Sequence, residues 1–148
     1  MSDCPRERFM AALQAVLDAA IKTTYGPDAT VLRNIDAPET SESESTPRAW
    51  LVEMPRRRTE TTEAVVPIYD LQVKLYGVVR RKDTSQALMQ TEGNNLEYWM
   101  DRTLLNITVL AGGNAVVFQE PGQTSGVYAG DNEAWLEYDF TLRYAQEV

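Results

Sequence analysis

The chain contains no histidine. That removes the commonest metal ligand and the side chain best suited to proton transfer near neutral pH. A Ser-His-Asp or Cys-His nucleophilic site is excluded with it. There is one cysteine, Cys4, so no internal disulfide can form. Such sparing use of cysteine fits a reducing compartment, or a particle assembled in one. No apolar run approaches the ~18–20 residues that a membrane span needs. The opening Met1-Ser2-Asp3-Cys4-Pro5 lacks a basic segment followed by an apolar one, so no secretory signal is read there. Positive charge is also scarce: 14 Lys and Arg stand against 22 Asp and Glu, a formal net charge of -8. A chain of that sign repels phosphate backbones unless its cations are gathered in one place, which argues against nonspecific nucleic-acid binding as the main task.

Motifs for chemistry are missing as well. The phosphate-binding pattern G-x-x-x-x-G-K-[ST] is absent, and neither Gly112-Gly113 nor the loop from Pro121 to Gly130 makes a phosphate cradle. No zinc-ligand spacing exists. Glu137 and Asp139 offer two carboxylates of the kind a glycosidase uses, but they fall on the polar face of an alternating strand, where solvation or an interface accounts for them. Cys4 reads as an incidental thiol near a frayed terminus. Nothing in the sequence calls for a catalytic residue, a metal or a cofactor.

What the sequence has in abundance is periodicity. Phe9, Leu13, Val16, Leu17, Ala20 and Ile21 form one stripe of a 3.6-residue helix. Asp3 can cap its start, with Pro5 near the first turn, and Tyr25-Gly26-Pro27 ends it. Residues 30–35 read as a short strand, and residues 49–54 as a second, with Trp50, Val52 and Met54 on one face. Pro55 is expected to stop that strand. Residues 67–81 form the longest strand, placing Tyr69, Leu71, Val73, Leu75, Gly77 and Val79 on one face and Asp70, Gln72, Lys74 and Tyr76 on the wetter one. A second helix is expected over residues 84–105, weakened or kinked at Gly93-Asn94-Asn95 because glycine costs about 1 kcal/mol in a helix interior. Residues 115–120 make another strand. The last strand alternates Leu136, Tyr138, Phe140, Leu142 and Tyr144 with polar residues. Mobile loops are expected at 36–47, 55–66 and 121–132. The order implies a single α+β domain: a mostly antiparallel sheet of four to five strands, with two helices packed on one face.

Two surface features stand out. Arg56, Arg57 and Arg58 sit together in an acidic chain, readable as a binding arm, a nucleic-acid grip or a solvated turn. Trp135 falls opposite the apolar face of the last strand, so it is either an interface anchor or a rim residue covered by a loop.

The layout resembles the tail-terminator and tail-completion proteins of long-tailed bacteriophages. The resemblance lies in the one-faced first helix, "AWLVEM", the long "YDLQVKLYGVV", "SQALMQTEGNNLEYWMDRTL" and the closing "AWLEYDFTLRYA". It covers nearly the whole chain, as layout and strand pattern and not as a signature motif. It implies a non-enzymatic structural protein of the virion neck, assembled in the host cytoplasm into a ring, commonly hexameric, that caps the tail tube. The partners implied are further copies of the chain, the tail tube protein and head-tail connector proteins. No membrane and no sequence-specific nucleic acid are implied, although DNA passes through such a ring. On that picture Arg56, Arg57 and Arg58 meet acidic groups of a partner, the loop at Glu39, Glu42 and Glu44 of the next subunit being a candidate. Other head-tail connectors or stoppers, and a monomeric adaptor or inhibitor that binds through a sheet edge, are the alternatives.

Overall fold

The computed structural model describes residues 4–33, 46–59, 66–107, 109–110 and 115–146. It is an α+β fold in which two helices cover one face of a seven-stranded sheet. The elements run α1 (Pro5–Tyr25), β1 (Thr30–Arg33), β2 (Arg48–Arg58), β3 (Ile68–Arg80), α2 (Gln86–Asn106), β4 (Val109–Leu110), β5 (Ala115–Phe118), β6 (Ser125–Ala129) and β7 (Glu133–Ala145). The sheet order is β1-β2-β3-β7-β5-β4, with β6 also paired to β7. All pairs are antiparallel except β1 with β2, so the sheet is mixed.

β3 and β7 form the spine. They pair without interruption from Ile68 opposite Ala145 to Arg80 opposite Glu133. The helix-covered face of this ladder carries the apolar half of the alternation, and Leu136, Phe140 and Leu142 are fully buried there. Full burial of side chains of this size is worth about 1.5–3 kcal/mol each. Phe9, Met10, Leu13, Leu17 and Ile21 of α1 and Leu96, Trp99, Met100 and Leu104 of α2 complete the same core.

α1 starts at Pro5, where a missing N–H costs nothing, after a Cys4 N-cap that makes no side-chain bond. Gly26, at φ 105°, ends it in a region that disfavours other residues. Asp3, the expected cap, lies outside the described residues. α2 is capped by the Ser85 hydroxyl, which accepts from the Leu88 N–H at 3.3 Å.

Three local expectations change. Pro55 does not stop β2: the register advances three residues from Glu53 to Arg56 while β3 advances two, from Val73 to Leu71. That is a β-bulge, one of the few places inside a sheet that tolerates proline. Residues 55–58, expected in the connection, therefore belong to the strand. The expected loop 121–132 contains β6, and β4 was likewise not anticipated, so the sheet has seven strands where four to five were expected. Asp70, placed on the wetter face, is 1% exposed. As expected, α2 runs as one helix through Gly93. A Cβ there would stand 2.3 Å from Val127 Cγ1 and 3.3 Å from Ala134 Cβ. The glycine is present because β6 crosses the helix at that point, where only a bare backbone fits.

Gly93→Ala is expected to destabilise the fold by about 1–3 kcal/mol through overpacking, despite alanine's better helix propensity. Adding Val127→Ala should restore most of that loss. Urea denaturation of both variants checks it; a more stable single variant would refute the crossing as the reason for glycine.

Candidate interaction surface

The bulge at Pro55 sets the fate of the arginine run. Because one residue is inserted, Arg56 and Arg58 turn to the helix-covered side, opposite Leu71 and Tyr69, while Arg57 turns to the open side opposite Asp70. Arg56 Nη1 donates to the Tyr144 hydroxyl at 2.7 Å, and its guanidinium lies 3.9 Å from the centre of the Tyr69 ring. The Tyr144 bond is the main reason the Arg56 guanidinium is held above its ordinary pKa. Arg57 reaches Glu120 Oε1 at 2.7 Å and Asp70 Oδ2 at 3.5 Å. Arg58 is exposed. The three arginines are therefore split between two faces, and two of them have partners within the chain. Glu39, Glu42 and Glu44, the proposed acidic partners, lie outside the described residues.

The open face is laced by direct cross-strand ion pairs. Arg143 grips Asp70 with two bonds, Nε to Oδ1 at 2.7 Å and Nη2 to Oδ2 at 2.9 Å. Lys74 pairs with Asp139 at 3.3 Å and Arg80 with Glu133 at 3.1 Å. Each of these three pairs joins residues directly opposite in the β3–β7 register. Facing opposite charges contribute about 0.2–1 kcal/mol each and also hold the register. Asp139 is thus taken up by Lys74, and Glu137 is exposed beside it, which gives no paired-carboxylate centre.

Between the ion pairs runs an aromatic band. Trp50 is 6% exposed. It stacks on Tyr76 with centroids 5.4 Å apart, and meets Trp135 edge-on at 5.8 Å. Trp135 is half-buried in this band, so its ring is partly used inside the subunit. Its register partner on β6 is Tyr128, which is 60% exposed.

The helix layer is chemically different. Nineteen of its residues are exposed, seven on α1 and twelve on α2, and Arg8, Asp101 and Arg102 are the charged ones among them, while Arg6, Glu7, Asp18, Lys22, Glu92 and Glu97 are half-buried along the same helices. The exposed set includes Val16, Leu88, Tyr98 and Leu105, the last 76% exposed. Beside Leu105, an apolar cleft opens between α2 and β5, lined also by Leu104, Val117, Phe118 and Tyr138. At its base the Tyr138 hydroxyl donates to Asp101. Burial, and then that carboxylate, push the phenol well above its ordinary pKa. Tyr138 is therefore a neutral donor at any physiological pH. Exposed aromatic residues such as Tyr98 are enriched at protein interfaces. Sequence reading missed this face because it sought charge and motifs, and because Val16, read as part of the core stripe of α1, is 39% exposed.

No described helix is long and apolar enough to cross a membrane. Among the described residues no group of His, Cys, Asp and Glu is placed to hold a metal ion.

Asp70 carries a testable consequence. Burial alone would raise its carboxyl, but the Arg143 bonds and the Arg57 charge outweigh burial and hold it below its ordinary value. A depressed native pKa contributes stability above the unfolded value near ~3.9, lost as pH falls through the native one. Asp70→Asn should cost about 1.5–3 kcal/mol at pH 7, toward the low end because both guanidiniums are partly in water. The gap to the unsubstituted chain should close as pH falls below the native value. Urea midpoints measured from pH 7 to pH 2 check this; a pH-independent gap would show that Asp70 acts by packing alone.

No protein-family profile and no curated protein matches this chain. Among solved structures, 28 chains are significantly similar. One of these, which carries no functional name, aligns over 97% of this chain and 96% of its own with a TM-score of 0.55 and 16% identity. At that identity the likeness establishes a fold shared end to end, and it carries no activity or partner with it.

Proposed function

We propose that this protein is a structural assembly subunit, a tail terminator that forms a homo-oligomeric ring on the end of a phage tail tube. One face copies the contacts that a tube subunit makes. The other offers no site for further stacking, so polymerisation stops and a surface for head attachment is left. The mechanism is steric and geometric, and no bond is made or broken.

The observation that carries the reading is the two-sidedness of the subunit. Its helix layer exposes Tyr98, Leu105 and Leu88, as a subunit contact does. Its open face is locked by internal ion pairs. The layout likeness to tail terminators supplies the specific assembly. The arginine run enters this reading in reduced form. Arg56 and Arg57 have internal partners, which leaves Arg58 as the member of the run best placed to meet an acidic neighbour.

Electron microscopy of tail tubes polymerised with and without the protein tests the reading. Tubes that end in an added ring and stop growing are the expected result. Tubes with an unchanged length distribution and bare ends would refute it. Capture of the protein by head connectors alone would assign it to the head side of the neck instead.

A further inference from the structure

The sheet ends at three edge strands, β1, β4 and β6, and of these β1 and β6 are treated differently. On β1 the outward backbone of Val31 is closed by α1: its N–H donates to Asp18 Oδ1 at 3.0 Å, and its carbonyl accepts from Gln14 Nε2 at 2.7 Å. Nothing can add a strand there without displacing the helix. On β6, the Asp139 N–H donates to the Thr124 carbonyl at 3.0 Å and the Gly130 N–H to the Glu133 carbonyl at 2.8 Å. These fix the alternation: Gly126 and Tyr128 turn their backbone to β7, while Ser125, Val127 and Ala129 turn theirs outward. Two side chains of α2 reach this strand: Gln86 Nε2 donates to the Ala129 carbonyl at 3.1 Å, and Glu97 Oε2 accepts from the Ser125 hydroxyl at 2.7 Å. The strand reads Ser-Gly-Val-Tyr-Ala. It carries no charge, no proline and no lysine, the usual guards of a sheet edge.

We infer that the outer edge of β6 is a strand-pairing site and that its occupant is a second copy of the same edge. Self-complementarity argues for this occupant. With Val127 opposite Val127 across a two-fold axis, the outward groups of Ser125 meet those of Ala129 of the second copy, and Gly126 falls opposite Tyr128 in both directions. The Tyr128 ring already leans along its strand, its hydroxyl oxygen 3.7 Å from where a Cβ on Gly126 would stand. Across the axis two such rings lie antiparallel over a floor of two glycines, which covers a side chain that is 60% exposed in the single subunit. Gln86, exposed at the start of α2, swings off Ala129 to admit the partner. The aromatic band of Trp50, Tyr76, Trp135 and Tyr128 then runs unbroken from one copy into the next. An isologous contact closes at two copies, so a larger ring needs a second, separate surface. The inference rests on the homo-oligomeric part of the reading above and is independent of tube capping.

Sedimentation equilibrium on the full chain, over a concentration series, tests it with two variants. Ser125→Pro removes an outward N–H and none of the bonds to β7; it also removes the exposed Ser125–Glu97 side-chain bond, so Ser125→Ala, which keeps the N–H, is its control and should leave the pair intact. Tyr128→Glu sets two like charges side by side at the axis and changes only an exposed side chain. Both should leave the urea midpoint close to that of the unsubstituted chain and raise the dissociation constant of the pair about tenfold or more. An oligomer that both variants leave intact overturns the β6 inference and keeps the homo-oligomer reading. A chain that stays monomeric up to about 1 mM overturns the inference too, while tube capping is still judged by microscopy.

Discussion

Every other part of the structure is hung on the ladder between β3 and β7. These two strands are neighbours in space and lie far apart in sequence, and they pair from one end to the other without a bulge. β2 and β1 extend the sheet from the β3 side; β5 and β6 share the far edge of β7. Both helices rest on the apolar half of the ladder's alternation, and the ion pairs and aromatic band occupy the other half. A one-residue slip would exchange the two sets. Leu71, Val73 and Leu75 would then face water, and Asp70 would enter the core. The fidelity of that register is therefore what separates a folded subunit from a misassembled one. Asp70–Arg143, Lys74–Asp139 and Arg80–Glu133, spaced along the ladder, each favour the correct register locally.

Pairs of this kind engage many of the chain's 14 basic residues within the subunit. Arg33 binds Glu7 through two bonds of 2.7 and 2.9 Å and reaches Glu53 at 3.2 Å. Arg6 holds Glu53 from the first turn of α1 at 2.8 Å. Arg56, Arg57, Arg143, Lys74 and Arg80 are engaged as described above. A run of arginines in a sequence suggests one patch of field. A strand distributes the run to alternate faces, and a bulge decides which member goes where.

How far the sequence was legible depended on segment length and on a clean period. α1, β3, α2 and β7 are long, and their apolar positions recur at 3.6 or 2 residues, so the core of β7 was read correctly from Leu136 to Tyr144, and that of α1 at Phe9, Leu13, Leu17 and Ile21; Val16, placed in the same stripe, is 39% exposed, and the buried Met10 was missed. β6 is five residues between turn formers, too short for alternation to stand out from the glycine-rich stretch around it. Pro55 misled because a proline that ends a strand and one that sits in a bulge look alike until the partner's register is known. At Gly93 the single helix was read correctly and its cost was visible, while the reason for the glycine, Val127 crossing above it, is a contact over sequence distance. Asp70 followed the period faithfully, and only its two arginine neighbours made the wetter face dry at that point. Of the surface residues singled out, Trp135 was placed on the correct face, but its partner Trp50 belongs to a strand whose register could not be read from either segment alone.

The treatment of the edges bears on what kind of assembly the subunit can make. A heterologous array built by adding β1 of one copy to β6 of the next is blocked, because Asp18 and Gln14 already hold the groups such an addition would use. Propagation by that β1-to-β6 addition is therefore closed off. An antiparallel pair at that edge has its two-fold axis perpendicular to the sheet, since directly opposed residues on neighbouring strands project to the same side. Both helix layers then stay on one side of the joined sheet and both charge-paired faces on the other. Two-sidedness, the property on which a capping role depends, is thus preserved in the pair. A parallel or face-to-face association would cancel it. The closed β1 edge and the uncharged β6 edge act together: one limits how far the sheet can extend, and the other fixes the relative orientation of the copies that join it.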